Sequence, residues 1–205
     1  MYVPAHFEPD DEAVHRLLSE HGAVELITAT TDGLMATTLP MSYDREAGVL
    51  RGHLARQNDQ WRAEVLGDAL VIARGPDSYI SPSWYASKAE HGKVVPTWNY
   101  LTVHVHGPLT VHDDSGWLAA QVAALTDHHE AGRAHPWSVA DAPERFVAGQ
   151  LRAIVGVEVR VDRLEAKFKL SQNRPSADID GVVAGLTSVG DHVGAALVSA
   201  HRGVK

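Results

Sequence analysis

The sequence predicts a mainly β, α+β chain: a small antiparallel Greek-key barrel with peripheral helices. Three observations carry that prediction. Between Ala23 and Leu54, three strand-like runs follow one another, broken only by Thr31-Asp32-Gly33 and Asp44-Arg45-Glu46-Ala47-Gly48. Such glycine-ended breaks between alternating runs read as hairpin turns. No crossover helix separates the runs, and parallel strands would need one. Further along, Val155, Val157, Val159 and Val161 alternate with Glu158, Arg160 and Asp162, the pattern of a half-buried strand.

The elements follow in order. Pro9-Asp10-Asp11-Glu12 opens a helix, since acidic side chains favour the unsatisfied N–H groups of a first turn; Gly22 ends it. Ala23 to Thr30, Leu34 to Tyr43 and Val49 to Leu54 are strands. Asn58 to Leu66 reads as a short helix. Ala69 to Arg74 is a strand ended by Gly75-Pro76, and Tyr79 to Tyr85 is extended. Ala86 to Val95 is a polar loop. Thr97 to His112 is a long strand with a bend at Gly107-Pro108. Asp113-Asp114-Ser115 caps a helix to about His129, with Leu118, Val122 and Leu125 on one face. A helix over 143–151, a strand over 153–171 and a helical tail complete the chain. Val189, Val193, Ala196 and Leu197 form the tail's apolar stripe. Five to seven strands are expected in all.

With 205 residues, 44% hydrophobic and 21% charged, the chain suits one domain over 1–205, with 178–205 as a helical C-terminal extension. The net charge of -8 and the lack of any Lys/Arg block argue against a protein that grips bare DNA, because phosphate neutralisation dominates that affinity. The absence of cysteine excludes disulfides, thiolate metal sites and cysteine nucleophiles, and suits a reducing compartment. Met1 to Pro9 lacks the pattern of a signal peptide, and Asp191-His192 interrupts the most apolar stretch. A cytoplasmic protein with no membrane partner is the expectation.

Four segments carry more polar and aromatic side chains than strands and turns require. Gly52 to Trp61 runs from a strand end into a corner, where His53, Arg56 and Asn58 can hold a phosphate; the plain reading is a capped turn with a solvated arginine. Tyr79 to Tyr85 packs three aromatics and two serine hydroxyls into seven residues, a wall for a flat ring or a packed aromatic cluster. Pro96 to Tyr100 leads into Thr102, His104 and His106 on one strand face. His-x-His can bind metal, but no carboxylate run completes a set, so no metal is expected. Lys167 to Arg174 ends in Gln172, Asn173 and Arg174, amide and cationic groups able to read a ring edge or a phosphate; the plain reading is a solvated strand end. Gly-x-Ser-x-Gly, Walker A and Gly-x-Gly-x-x-Gly are all absent.

Together with Met1 to Phe7, these segments resemble the PaiB-type family of FMN-binding negative transcriptional regulators. The likeness rests on Gly52-His53-Leu54-Ala55-Arg56 with Asn58 and Gln60-Trp61, Tyr79-Ile80-Ser81-Pro82-Ser83-Trp84-Tyr85, Val95 to Tyr100 with His104 to Gly107, and Lys167-Phe168-Lys169-Leu170-Ser171-Gln172-Asn173-Arg174. It implies an FMN-binding split barrel, a homodimer with flavin at the subunit interface, and repression of sporulation and degradative-enzyme genes. Carried onto this chain, His53, Arg56 and Asn58 fall at the phosphate end. Ser81, Trp84 and Tyr85 line the flavin or the interface, Gln172 and Asn173 meet the ring edge, and Lys169 or Arg174 stands near the phosphate.

Three functions compete. A flavin-binding regulator fits the motifs best; DNA binding comes only from the resemblance, since no helix-turn-helix is legible. An FMN-dependent oxidoreductase, of flavin-reductase or pyridoxamine-phosphate-oxidase type, would use the same cofactor. A haem protein on the same barrel would take one of thirteen histidines as axial ligand, and nothing selects which.

Overall fold

The structure is a computed structural model, and it describes residues 1–203. Among the described residues there are eight strands: β1 (Ala23–Thr30), β2 (Gly33–Asp44), β3 (Val49–Ala55), β4 (Ala69–Ile80), β5 (Thr97–Gly107), β6 (Leu109–His112), β7 (Ile154–Arg160) and β8 (Arg163–Lys169). They form one antiparallel sheet in the order β6-β7-β3-β2-β1-β4-β5-β8. Among the described residues six α-helices accompany them: α1 (Asp11–Glu20), α2 (Ser87–His91), α3 (Ser115–Glu130), α4 (Glu144–Leu151), α5 (Ser176–Ser188) and α6 (His192–Ala200). The chain divides into two compact units. One holds residues 1–17, 74–103 and 165 onward; the other holds 18–73 and 104–164.

In the second of these, local sequence acts directly. β1 buries Val24, Leu26, Thr28 and Thr30 on one face, as alternation demands. Thr30 pairs with Gly33 across a two-residue turn. Gly33 takes φ +116, where a side chain would be strained. β3 pairs with β2 and, from Val49↔Arg160 to Ala55↔Ile154, with β7. Asp114 caps α3 by accepting from the Trp117 N–H at 2.8 Å. Trp117 then stacks on His112, ring centroids 4.1 Å apart, and lies where a Cβ on Gly156 would stand.

In the first, Ile80, Tyr85, Ile179, Val182, Leu186, Ala195 and Val198 form the core, with Trp84 packed against it. Gly181 and Gly185 let α5 settle on Trp84: a Cβ on Gly181 would stand 1.8 Å from the Trp84 carbonyl oxygen.

Several expectations fail for identifiable reasons. The helix over 58–66 is one 3₁₀ turn, Asp59–Trp61; the Leu66 N–H donates to the Ala29 carbonyl at 2.7 Å and Val65 bridges Thr30, so the backbone leaves to meet β1. β4 runs through Gly75-Pro76 to Ile80. Its pairing with β1 covers Leu70–Ile72, so Pro76 removes no donor from that ladder, and Gly75 admits Leu101 and Leu17 at close range. Residues 82–84 turn into a 3₁₀ helix, and 87–91 form α2 rather than loop. The strand over 153–171 is two, because the Val161 N–H goes to Gly48 and the Asp162 N–H to His106. In the tail, Gly190 (φ +83) and the Asp191 cap reset the helical phase. Ala195 and Val198 are buried, while Val189 and Val193 are exposed.

Candidate functional site

The residues expected to hold a cofactor fall into two groups, one in each unit. His53, Arg56 and Asn58 lie in 18–73. Ser81, Trp84, Tyr85, Lys169, Gln172, Asn173 and Arg174 lie in 74–103 and 165 onward.

Each of the first three has hydrogen-bond partners within the protein. His53 Nδ1 meets Gln121 Oε1 at 3.0 Å, and its ring lines an apolar hollow with Trp137, Phe146 and Val147. Arg56 is heavily committed. Its Nη1 donates to Asp113 at 2.9 Å, its Nη2 to Asp113 and to the Ile154 carbonyl, and its Nε to the Arg152 carbonyl at 2.8 Å. Asp113 holds the guanidinium pKa up, and the guanidinium holds the Asp113 carboxyl down. Asn58 accepts from the Gln60 N–H and donates to Thr37 Oγ1, both at 2.9 Å. Gln60, 1% exposed, ties the corner to the Leu26 carbonyl and Thr28. The Trp61 indole N–H donates to the Arg56 carbonyl.

The second group is richer in unspent charge. Lys167 and Lys169 project from the same face of β8, as alternation requires. Lys169 Nζ donates to Thr97 Oγ1 and, at 2.6 Å, to the Trp98 carbonyl. Burial lowers the Lys169 pKa, and the positive charges of Lys167 and Arg174 lower it further. Both lysine ammoniums lie about 6 Å from the Tyr100 ring. Arg174 lies over the Tyr85 ring at 4.7 Å. The Tyr85 phenol pKa is pushed up by burial, against the opposing charge of Arg174.

Between β8 and α5 the backbone is strained. Ser171 sits at φ +64, a left-handed conformation rare for a residue with a side chain. Its hydroxyl donates to Asn99 Oδ1 at 3.1 Å. Gln172 folds its amide back, accepting from Leu170 N–H and donating to the Phe168 carbonyl. Asn173 is exposed. Ser81 accepts from the Ser83 N–H, and Tyr79 and Trp98 form an exposed edge-to-face pair 5.9 Å apart.

Two members were not singled out from sequence. Lys167 was signalled by alternation with Lys169. Asn99, 2% exposed with its Nδ2 unpartnered, carried no local signal beyond its place beside Trp98. Tyr85 Oη is likewise buried, with Arg174 beside it and no acceptor for its own proton. A cluster of three cations, flat aromatic faces and two donors lacking acceptors fits a group that brings a phosphate and a planar ring rich in acceptors.

Comparison with known proteins gives the fold and the family. Among solved structures, the conserved hypothetical protein Rv2991 of Mycobacterium tuberculosis superposes with TM-score 0.60 at 11% identity, over 85% of this chain and 94% of that one. The flavocytochrome Anf3 of Azotobacter vinelandii gives 0.57 at 13% identity, over 79% and 68%. The likeness is one of fold, an antiparallel split barrel. Residues 1–163 match the family model described as "Putative FMN-binding domain". The chain is 31% identical over 187 residues to Protease synthase and sporulation protein PAI 2 of Bacillus subtilis, spanning 89% of this chain and 87% of that one. It is 36% identical over 184 residues to an uncharacterized protein of Aspergillus fumigatus, spanning 74% and 70%. The chain belongs to this FMN-binding family, is PaiB-like, and its cofactor is FMN. Among the described residues no helix is long and apolar enough to cross a membrane.

Proposed function

We propose that this chain is a flavin-dependent negative regulator of the PaiB type. It works in the cytoplasm as a homodimer with FMN at the subunit interface. The observation that carries the site is the grouping of Lys167, Lys169 and Arg174 beside Tyr85, Trp98 and Tyr100. Like charges held together in a half-buried place favour an anion, and the FMN phosphate relieves their repulsion. Lys169 and Arg174 hold that phosphate. Trp84, Tyr85 and Ser81 border the ring, with Gln172 and Asn173 toward its edge. Bound FMN supplies redox-responsive chemistry; the protein supplies orientation and charge. Regulation runs through a partner protein rather than through bare DNA, in keeping with the net charge of -8.

FMN titration, followed by flavin absorbance after removal of the unbound fraction, tests the site. Lys169→Ala is expected to weaken binding by about 1–3 kcal/mol, the worth of a charge-assisted contact. Arg56→Ala is expected to leave FMN affinity near wild type while lowering the melting temperature, because its charge serves Asp113. The reverse pattern would move the phosphate to the Arg56 corner. Elution as a monomer with FMN bound would remove the interface, and a specific mobility shift of promoter DNA at moderate salt would replace the partner with direct binding.

A further inference from the structure

The apolar hollow beside His53 has a volume of about 240 Å³ and lies wholly within the unit built from 18–73 and 104–164. Its walls are Val122 from α3, Phe146, Val147 and Leu151 from α4, and Trp137 from the segment between those two helices. His53 from β3 and Gln150 supply its polar side chains. Among the described residues no Lys, Arg, Asp or Glu lines it.

Two features make this a prepared site. The first is the setting of His53. Its Nδ1 lies 3.0 Å from Gln121 Oε1, an oxygen that can only accept, so Nδ1 carries the proton and Nε2 keeps its lone pair. Gln121 is buried, its Nε2 has no partner, and its side-chain amide makes this one bond, which fixes the tautomer and orientation of the ring. Gln121 stands outside the lining, so the acceptor that His53 has left for the hollow is Nε2. The second feature is Trp137, about half exposed at the rim together with Phe146. Its backbone is pinned. The Trp137 N–H donates to the Glu130 carboxylate at 3.0 Å, Glu130 also pairs with Arg133, and Ser138 forms a capping box with Asp141. An aromatic face fixed before binding spares a ligand the cost of ordering it.

We propose that this hollow binds a small neutral aromatic molecule carrying one hydrogen-bond donor, of the indole or phenol class. The ring lies against Trp137 and Phe146, and its N–H or O–H donates to His53 Nε2. Apolar walls with a single placed polar group are the usual make-up of such a site, the walls giving affinity and the polar group orientation. Size agrees: an apolar cavity of about 150 Å³ takes benzene, so the larger hollow has room for one ring or a fused pair. Charge agrees as well. A phosphate would find no cation among the lining side chains, so the ligand is not FMN. The site is independent of the FMN reading, and its test does not use flavin.

Calorimetric titration of the purified full-length protein with indole is expected to show one saturable site per chain. Benzofuran, of the same size but without the N–H, should bind about tenfold more weakly, the worth of one hydrogen bond. His53→Leu should remove that preference while keeping an apolar wall, and Val147→Trp should fill the hollow and abolish binding of both. Equal affinities for the two probes in wild type, or wild-type indole binding in Val147→Trp, would overturn the proposal. So would a protein that binds no indole but loses self-association in Val147→Trp, since a second copy would then cover the hollow. A further measurement needs no variant to fold. In ¹⁵N-histidine-labelled wild-type protein, saturating indole should shift the His53 Nε2 resonance more than that of Nδ1. An unmoved His53 Nε2 would overturn the proposal equally.

Discussion

Gly181→Ala is expected to destabilise the protein by about 3 kcal/mol, the upper part of the usual range for overpacking. The sign runs against helix propensity. Gly181 lies inside α5, where alanine normally improves a helix by about 1 kcal/mol over glycine. Here the new Cβ would stand 1.8 Å from the Trp84 carbonyl oxygen and 3.0 Å from its carbon. Both are backbone atoms, so no rotamer change relieves the clash. Either α5 lifts or the Ser81–Tyr85 segment moves, and the core of Ile80, Tyr85, Val182 and Leu186 opens. A thermal melt should fall by about 6–12 °C for a chain of this length. Gly22→Ala is the control, since nothing lies within 4 Å of the Cβ it would add. A Gly181→Ala protein as stable as wild type would mean that α5 is not seated on Trp84.

Asp178→Ala carries the second large effect. Asp178 is 1% exposed in the first turn of α5. Its carboxylate accepts from the Ser87 backbone N–H at 2.9 Å and from the Ser87 hydroxyl. Removing it strands two buried donors on Ser87, itself 8% exposed. The expected loss is about 2–4 kcal/mol, since a buried donor left without an acceptor costs more than a hydrogen bond contributes.

The same contact sets a pH dependence. Burial works against the charge of Asp178, but the Ser87 hydrogen bonds outweigh it, with help from the positive charge of Arg174, and hold the carboxyl below its usual range. A carboxyl depressed by folding stabilises fully above its unfolded value of about 4, and that contribution is lost as pH falls through the folded value. Urea melts from pH 7 downward should show wild type losing this increment in acid. Asp178→Asn, which cannot ionise, should show a flatter profile over the acid limb. Parallel profiles would separate Asp178 from acid stability.

Much of the fold was legible in the sequence because it rests on local rules. β1 over Ala23–Thr30 was read from period-two alternation and a following Asp-Gly turn; neither needs a distant partner to declare itself. The start of α3 was read from Asp113-Asp114-Ser115, and Asp114 makes the capping bond expected of it. At Gly107-Pro108 the expected bend in one long strand proves to be a break: β5 ends at Gly107 and β6 starts at Leu109, elsewhere in the sheet order, because proline has no N–H to continue the ladder. The family was legible too, since its segments recur in order along the chain.

The tertiary structure decided what local pattern leaves open. Residues 58–66 satisfy helical composition, yet the Leu66 N–H finds Ala29 across the sheet, and that long-range bond outweighs propensity. The Val189, Val193, Ala196 and Leu197 stripe points to the wrong buried face of the tail, because Asp191 caps α6 and shifts its phase so that Ala195 and Val198 are buried instead. Arg56 is placed at the phosphate end by its neighbours in sequence, while its pairing with Asp113, distant along the chain, is visible only in the folded structure. Lys167, Lys169, Arg174 and Asn99 became one electrostatic group only when β5 and β8 came side by side. By itself the sequence determined the strands, the caps and the family, because alternation, turn chemistry and motifs act over a few residues. Which polar groups remain unspent depends on partners far along the chain, and only the folded structure names those partners.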